Sequence, residues 1–320
     1  MVFDVNADAA SATTDDVLQP FQLDAFRVRG RVARLGPAID RLLTCRPYPV
    51  EVAELLGGLV TAAALLASSL KFDGVLTAQV KCDGPISLMV ADFATPGAIR
   101  GYARFDAAAV TKAALAAESY ARPVPTLLGS GHLAVTADHA STGKRYQGIV
   151  ALEGAILDDC ISHYLEQSEQ HRTFVRLATR APTDDSAAAW RAGGFLMQQM
   201  PAFGGVGAAD PADAFDPLAG WREALAFATT VRTAELIDPA IGPQRLLHRL
   251  FHEPGVRIYA TSALEHRCRC GRERVRDVLA SFEGRDMEEM VVGGAVTVTC
   301  EFCNARYVFA PDELGLGADA

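Results

Sequence analysis

Four of the seven cysteines fall in two tight pairs, Cys268 and Cys270 in "RCRC" and Cys300 and Cys303 in "CEFC". If both pairs serve one centre, the chain between them must double back, which dictates most of what the C-terminal segment can be. Four thiolates around one Zn²⁺ make a closed, tetrahedral structural site. The second pair lies within "VTVTCEFCNARYVF", which reads as strand, knuckle, strand, the local setting of a zinc ribbon. The first pair is a C-x-C, a rarer half-site than C-x-x-C. The segment 263–310 is too short to be stable on a core of its own, and metal is the usual remedy below ~40–50 residues. A structural zinc supplies apparent binding free energies on the order of 10–16 kcal/mol, so losing it should unfold the segment. Four thiolates on one divalent cation leave a charge of about −2. Arg267, Arg269, Arg272, Arg274 and Arg276 crowd the first pair, and the expectation is that they offset this charge and keep the thiols ionised.

Spacing alone leaves several functions open for the quartet. A static ribbon that only props up the C-terminus is one. A nucleic-acid-binding finger is another, but between Glu265 and Arg306 seven arginines meet eight acidic residues, a poor match for phosphates. A thioredoxin-like redox motif would need a βαβ context that "CEFC" lacks. With four cysteines filling the shell, His266 is expected to orient or stand exposed rather than ligate. Cys45, Cys82 and Cys160 match no metal spacing, and core packing is their default.

The 320-residue chain is longer than one hydrophobic core usually holds, so a large domain plus a smaller one is expected. A net charge of −9 argues against general affinity for nucleic acid or an anionic membrane. The N-terminal stretch has neither a basic nor an apolar signal region and reads as a disordered tail over 1–17. Without an export signal, and with an odd number of cysteines, a reducing cytoplasmic location is expected. The longest uncharged run, 55–70, is short for a membrane span and reads as a buried core helix. "FQLDAFRVRGRVARLG" is expected to be a strand. "VLTAQV", "ISLMVADF" and "GAIRGYARF", separated by Asp/Gly/Pro turns, read as an antiparallel meander. "HLAVTAD" with "YQGIVALEG" reads as a hairpin, 156–168 as a helix, and "RTFVRLATR" and "GGFLMQQMP" as further strands. The fold class is therefore α/β (α+β): a large N-terminal domain of mostly antiparallel sheet with helices, a helical linker, and a small C-terminal metal-binding domain.

Composition shifts at 202–220, which is rich in Gly, Ala, Asp and Pro. Asp216 followed by Pro217 makes a good helix start. One helix over "LAGWREALAFATTVRTAEL" would carry Leu218, Trp221, Leu225, Ala228 and Val231 along one face. A second, "PQRLLHRLFHE", carries Leu246, Leu247, Leu250 and Phe251, and the large domain is expected to cover both stripes. No P-loop, G-x-G-x-x-G, H-E-x-x-H or Ser/His/Asp pattern emerges, so a nucleotide site and a catalytic site are both without support and a non-enzyme is expected.

"FRVRG" (26–30), "LKFDG" (70–74), "DGPISLMV" (83–90), "RYQGIVALEG" (145–154), "LMQQMP" (196–201), "LHRLFHE" (247–253) and the C-x-C…C-x-x-C quartet occur in one order along the chain. In these the sequence resembles the redox-regulated 33 kDa heat-shock chaperonin family, bacterial holdases. The extended N-terminal tail and Cys45, Cys82 and Cys160 depart from the family pattern. The resemblance implies a chaperone core over 18–205, a helical linker over 206–262, a zinc-binding redox-switch domain over 263–310 and a tail over 311–320. It implies that Cys268, Cys270, Cys300 and Cys303 hold one Zn²⁺ in a reduced, inactive state. On oxidation they would form the disulfides Cys268–Cys270 and Cys300–Cys303 and release the metal. Linker and zinc domain would then unfold, the chain would form a homodimer, and unfolded client proteins would be held without ATP. The competing expectation is a constitutive protein-interaction module with a purely structural zinc.

Overall fold

The structure is a computed structural model that describes residues 15–70, 73–115, 122–169, 171–183, 189–200, 216–282, 287 and 289–315. The expected boundary at 202–220 lies outside the described residues as far as 215, and so does the tail as far as residue 14. The chain divides into two compact units, Met1–His266 and Arg267–Ala320.

In chain order the first unit contains β1 (Val17–Leu23), β2 (Val28–Leu35), α1 (Pro37–Thr44), α2 (Val50–Ser69), β3 (Gly74–Cys82), β4 (Ile86–Ala94), β5 (Ala98–Phe105), α3 (Ala107–Ala114), β6 (Gly131–His139) and β7 (Arg145–Ala151). It continues with α4 (Leu157–Glu169), β8 (Thr173–Arg180), β9 (Arg191–Gln199), α5 (Pro217–Ala228), α6 (Thr233–Ile237), α7 (Pro243–Phe251) and three two-residue strands: β10 (Arg257–Ile258), β11 (Ser262–Ala263) and β12 (Glu265–His266). The second holds α8 (Arg272–Leu279), β13 (Val291–Val292), β14 (Ala295–Thr299) and β15 (Arg306–Phe309).

Two sheets form the first unit. One runs β10-β1-β2-β9-β8, with β11 also on β1; the other runs β12-β5-β4-β3-β6-β7. All pairings are antiparallel except β12 on β5. The expected meander is β3-β4-β5 and the expected hairpin β6-β7. The single strand expected at 21–36 is instead the hairpin β1-β2. Asp24–Phe26 forms a 3₁₀ turn and Arg27 takes φ 50°, so the alternation continues across a reversal that it cannot reveal.

α2 explains why the 55–70 run carries no charge. It packs on β2, β8 and β9 of one sheet and on β3, β4 and β5 of the other, and every residue from Leu55 to Ala67 is buried. A helix covered all round has no polar face to show in its sequence. It is long and apolar enough to cross a membrane, but most of it lies inside this fold.

The other face of the first sheet is covered by α5–α7. Trp221, Ala224, Ala228, Leu236, Leu246, Leu247, Leu250 and Phe251 form one buried cluster with Phe21, Val28, Val32, Phe195 and Met197. The expected α7 stripe is buried in full. The α5 face is rotated from the expected one: Leu218 is exposed and Leu225 only half-buried, while the small Gly220 and Ala224 turn inward beside Trp221. The one long helix expected there is two. Thr229 and Thr230 donate hydroxyl bonds back to Ala226 O (3.0 Å) and Phe227 O (2.7 Å), and α6 restarts with Glu235 accepting from the Arg232 N–H (3.0 Å). Asp216 caps α5 through the Leu218 N–H, with Pro217 in its first turn, as the sequence suggests.

Polar contacts fix α6. Arg34, 1% exposed, donates to three carbonyls, Glu235 O at 3.3 Å, Asp238 O at 2.5 Å and Ile241 O at 2.5 Å. Arg191 donates to Ile237 O at 2.7 Å, and both guanidiniums pair with Asp15. A Cβ on Gly193 would collide with the Leu236 carbonyl, so glycine lets α6 approach β9.

Sequence reading starts the small domain at 263 and a separate linker at 206. In the structure the described part of 206–262 packs into the first unit. Residues 263–266 belong there too, because their backbone pairs with β1 and β5. The tail expected to 17 ends sooner, since Val17 opens β1 and Asp16 accepts from the Gly36 and Ala38 N–H groups. The tail expected from 311 begins as a 3₁₀ turn, Pro311–Leu314.

Candidate metal and redox centre

In the second unit β14 and β15 pair antiparallel, Val296 opposite Phe309 and Thr299 opposite Arg306. The turn between them carries Cys300 and Cys303. The Cys300 N–H donates to Ala305 O and the Asn304 N–H to Cys300 O, both at 2.9 Å. Asn304 sits at φ 59°, a left-handed conformation that asparagine tolerates better than most residues. That curl is the knuckle expected from the sequence. Cys268 and Cys270 come from the segment leading into α8.

The four Sγ atoms lie within 4.8 Å of one another and are half-buried. Two close approaches join the two segments, Cys268 to Cys300 at 3.7 Å and Cys270 to Cys303 at 3.3 Å. Tetrahedral ligation with metal–sulfur bonds of about 2.3 Å would set the sulfurs about 3.8 Å apart. The quartet fits a tetrahedral metal with small adjustment and could hold one. Among the described residues no other group of three His, Cys, Asp or Glu is brought together this way.

Four thiols this close cannot all ionise alone. Burial raises the Cys268 thiol, but the Cys270 N–H and hydrogen bonds with the other three sulfurs outweigh it and bring it down to about 7. Burial raises Cys303, and its three sulfur neighbours raise it further against the Ala305 N–H. Cys270 is also raised, by burial first, despite a hydrogen bond from Tyr307. The Cys268 thiolate is thus favoured while Cys270 and Cys303 are held protonated, and a divalent cation is what would let all four sulfurs carry charge.

Tyr307, on β15, donates its hydroxyl to Cys270 Sγ at 3.1 Å, which pushes the phenol up to about 12. Sequence reading missed it. The available signal was a tyrosine four residues after Cys303 in the strand that leaves the knuckle. Arg272, one of the five arginines expected to serve the thiols, is engaged elsewhere. It donates to Val308 O (2.8 Å) and Glu313 (2.6 Å) and lies 4.3 Å over the Phe309 ring, tying α8 to β15 and the C-terminal turn. Arg272 holds the Glu313 carboxyl below its ordinary range, with Arg276 adding to the effect. Apolar support is slight among the described residues of this unit, whose buried cluster is Leu279, Met287, Val296 and Phe309.

The remaining cysteines belong to the first unit. Cys160 is fully buried in the core. Cys82 and Cys45 are half-buried and donate to Ile86 O (2.8 Å) and Leu42 O (3.0 Å). His266 is half-buried on β12, paired opposite Ile99, rather than exposed.

The Hsp33 protein family model matches residues 16–310. A 33 kDa chaperonin from Caulobacter vibrioides is 42% identical over 299 residues, covering 93% of this chain and 95% of the relative. One from Pseudomonas syringae pv. tomato is 37% identical over 296 residues, covering 92% and 90%. The crystal structure of the 33 kDa chaperonin of Thermotoga maritima superposes with a TM-score of 0.76 at 20% identity, covering 94% of this chain and 97% of that one, a likeness of fold.

Proposed function

The chain belongs to the Hsp33 family, whose relatives are named chaperonins, and from that premise we propose that it is a redox-regulated, ATP-independent holdase of the bacterial cytoplasm. One observation carries the reading. Four sulfurs converge within 4.8 Å in a unit whose described residues include only a handful of buried apolar side chains, and which follows in the chain a segment whose apolar face is buried.

Cys268, Cys270, Cys300 and Cys303 hold one Zn²⁺ in the reduced protein, the metal that four tetrahedral thiolates favour. The zinc neutralises thiolate charge and cross-links the two segments. Oxidation forms Cys268–Cys270 and Cys300–Cys303. Each pair of thiols gives two electrons and two protons to one hydrogen peroxide: the S–S bond forms, the O–O bond breaks, and the peroxide leaves as two waters. Pairing within each half suits a switch, because a closed loop of three or four residues restrains little of the chain. Pairing across the halves would close a loop of more than thirty residues and stabilise the fold instead. With the metal gone the second unit unfolds, the chain that leads into it is loosened, and the apolar surfaces that α5–α7 share with the first sheet become available to unfolding proteins and to a second copy. The sequence offers no nucleotide-binding motif to drive a cycle of release.

The test compares reduced, zinc-loaded protein with peroxide-treated protein for suppression of a client's thermal aggregation, without nucleotide. Suppression is expected only after oxidation, with Cys268–Cys270 and Cys300–Cys303 found by peptide mapping. Equal suppression in both states, with zinc retained, would identify a constitutive interaction module with a structural metal.

A further inference from the structure

Residues 256–266, "VRIYATSALEH", have no glycine or proline and are rich in β-branched, aromatic and apolar side chains. They contribute three short strands to both sheets of the first unit. Ile258 pairs with Phe21, Ser262 with Leu18, and Glu265 with Ala98. Most of what holds them is addressed to main chain. The N–H groups of Tyr259, Leu264 and Glu265 donate to Pro20 O (3.1 Å), Asp16 O (2.7 Å) and Gly97 O (2.9 Å). The amide of Gln19, itself 0% exposed, donates to Tyr259 O at 2.5 Å. Gly97 has no side chain where the Ala263 carbonyl lies, and any Cβ there would strike it. Two apolar anchors complete the contact. Leu264 is 4% exposed and lines a cleft of about 210 Å³ with Leu18, Ala67 and Phe93, and Ile258 packs against the cluster under α5–α7.

From this we propose that the edges of β1 and β5 form a groove for an extended segment of unfolded polypeptide, and that residues 256–266 occupy it as an internal stand-in. The proposal deepens the holdase reading and rests on it. A site that recognises backbone N–H and C=O groups, with apolar pockets at intervals, accepts any extended chain with suitable apolar residues, as strand addition does. Unfolding proteins expose such chains. The stand-in ends at His266, two residues before Cys268, so unfolding of the second unit removes its C-terminal tether. Its departure leaves the β1 and β5 edges with unpaired donors and acceptors, which favour a new strand.

A labelled peptide of residues 256–266 is titrated against three full-length proteins: reduced wild type, oxidised wild type, and reduced Leu264→Asp, in which a charge expels the anchor without oxidation. Binding is expected for the last two. Reduced wild type should bind roughly two orders of magnitude more weakly, because a tethered competitor has an effective concentration on the order of millimolar. A peptide N-methylated at the positions of Tyr259, Leu264 and Glu265 should lose binding, and the unmodified peptide should displace an unfolded client from the oxidised protein. Full binding of the methylated peptide would overturn the proposal, since apolar adhesion would then suffice. So would an oxidised protein that suppresses aggregation but ignores the peptide, an outcome that leaves the redox reading standing. An oxidised dimer that excludes the peptide would assign the groove to a second copy. If oxidation elicits no chaperone activity the redox reading fails, and Leu264→Asp still decides the groove: absence of peptide binding there refutes it.

Discussion

Phe251 is the residue through which the docking of α5–α7 is best measured. It is 0% exposed, with ring centroids 5.8 Å from Phe21, 6.3 Å from Phe195 and 6.2 Å from Phe227. Phe21 and Phe195 belong to the sheet, Phe227 to α5, so one ring joins three elements. Truncating a buried phenylalanine to alanine costs about 3–5 kcal/mol, of which each aromatic pair accounts for about 0.5–1.5 kcal/mol. At 1.4 kcal/mol per tenfold, about 4 kcal/mol raises the undocked population by roughly three orders of magnitude. The assay is amide hydrogen exchange, read by mass spectrometry, on reduced zinc-loaded Phe251→Ala. Protection over 217–251 is expected to fall by up to that factor while α2 keeps its own, and client aggregation is expected to be suppressed without oxidant. Phe251→Leu, which keeps most of the bulk, should fall between the two. Equal loss of protection in α2 and α7 would refute the reasoning, since the helices would then open only with the whole unit. Unchanged protection in α7 would do the same.

Other perturbations follow from particular contacts. Arg34→Met strips three carbonyls of α6 and its following turn of a charged donor; bonds of that kind are each worth about 1.5–3 kcal/mol, so exchange over 233–241 should rise by at least two orders of magnitude. Asp158, whose carboxylate accepts from the Leu177 N–H at 3.1 Å, is pushed up to about 6 by burial, against Leu177 N–H and Arg176 and with Asp159 adding to it. The folded protein therefore binds this proton more tightly than the unfolded chain, and the group costs stability as pH rises through about 6. Asp158→Asn, which still accepts that bond, should be more stable than wild type in urea at pH 7.5 by up to about 3 kcal/mol, with the advantage shrinking toward pH 5. Burial pushes Cys82 up to about 11 and Cys160 up to about 12, which slows attack on peroxide, a thiolate reaction. Thiol mapping should find both unmodified when the quartet is fully oxidised, and replacing Cys45, Cys82 and Cys160 together should leave zinc release unchanged.

The elements read from the sequence were those with a dominant physical cause. α2 was legible because it is buried on every side and β3–β5 because turns separate alternating runs. The α7 stripe was legible because Leu246, Leu247, Leu250 and Phe251 all face inward. α5 was misread because its inner face uses Gly220 and Ala224 for close approach, and hydrophobicity cannot flag small residues. β10–β12 were invisible, since two residues carry no alternation. Arg34 sits in a strand pattern that suggests exposure, and its partners are carbonyls some two hundred residues on. At the candidate metal centre the four cysteines were evident from spacing, whereas Tyr307 and the engagement of Arg272 depend on how β15 folds back. For Arg272, closeness to Cys270 in sequence did not indicate its partners, Val308 O and Glu313.

Exchange of the metal for disulfides, coupled to release of the docked segment, is tested most directly by following both at once. Reduced, zinc-loaded protein is treated with peroxide while a chromogenic chelator reports free zinc and samples are pulsed for hydrogen exchange. One zinc per chain should leave as the amides of 217–266 lose protection on the same time course, with those of 50–69 still protected. Complete zinc release with 217–266 still protected, or loss of that protection with zinc still bound, would contradict the coupling.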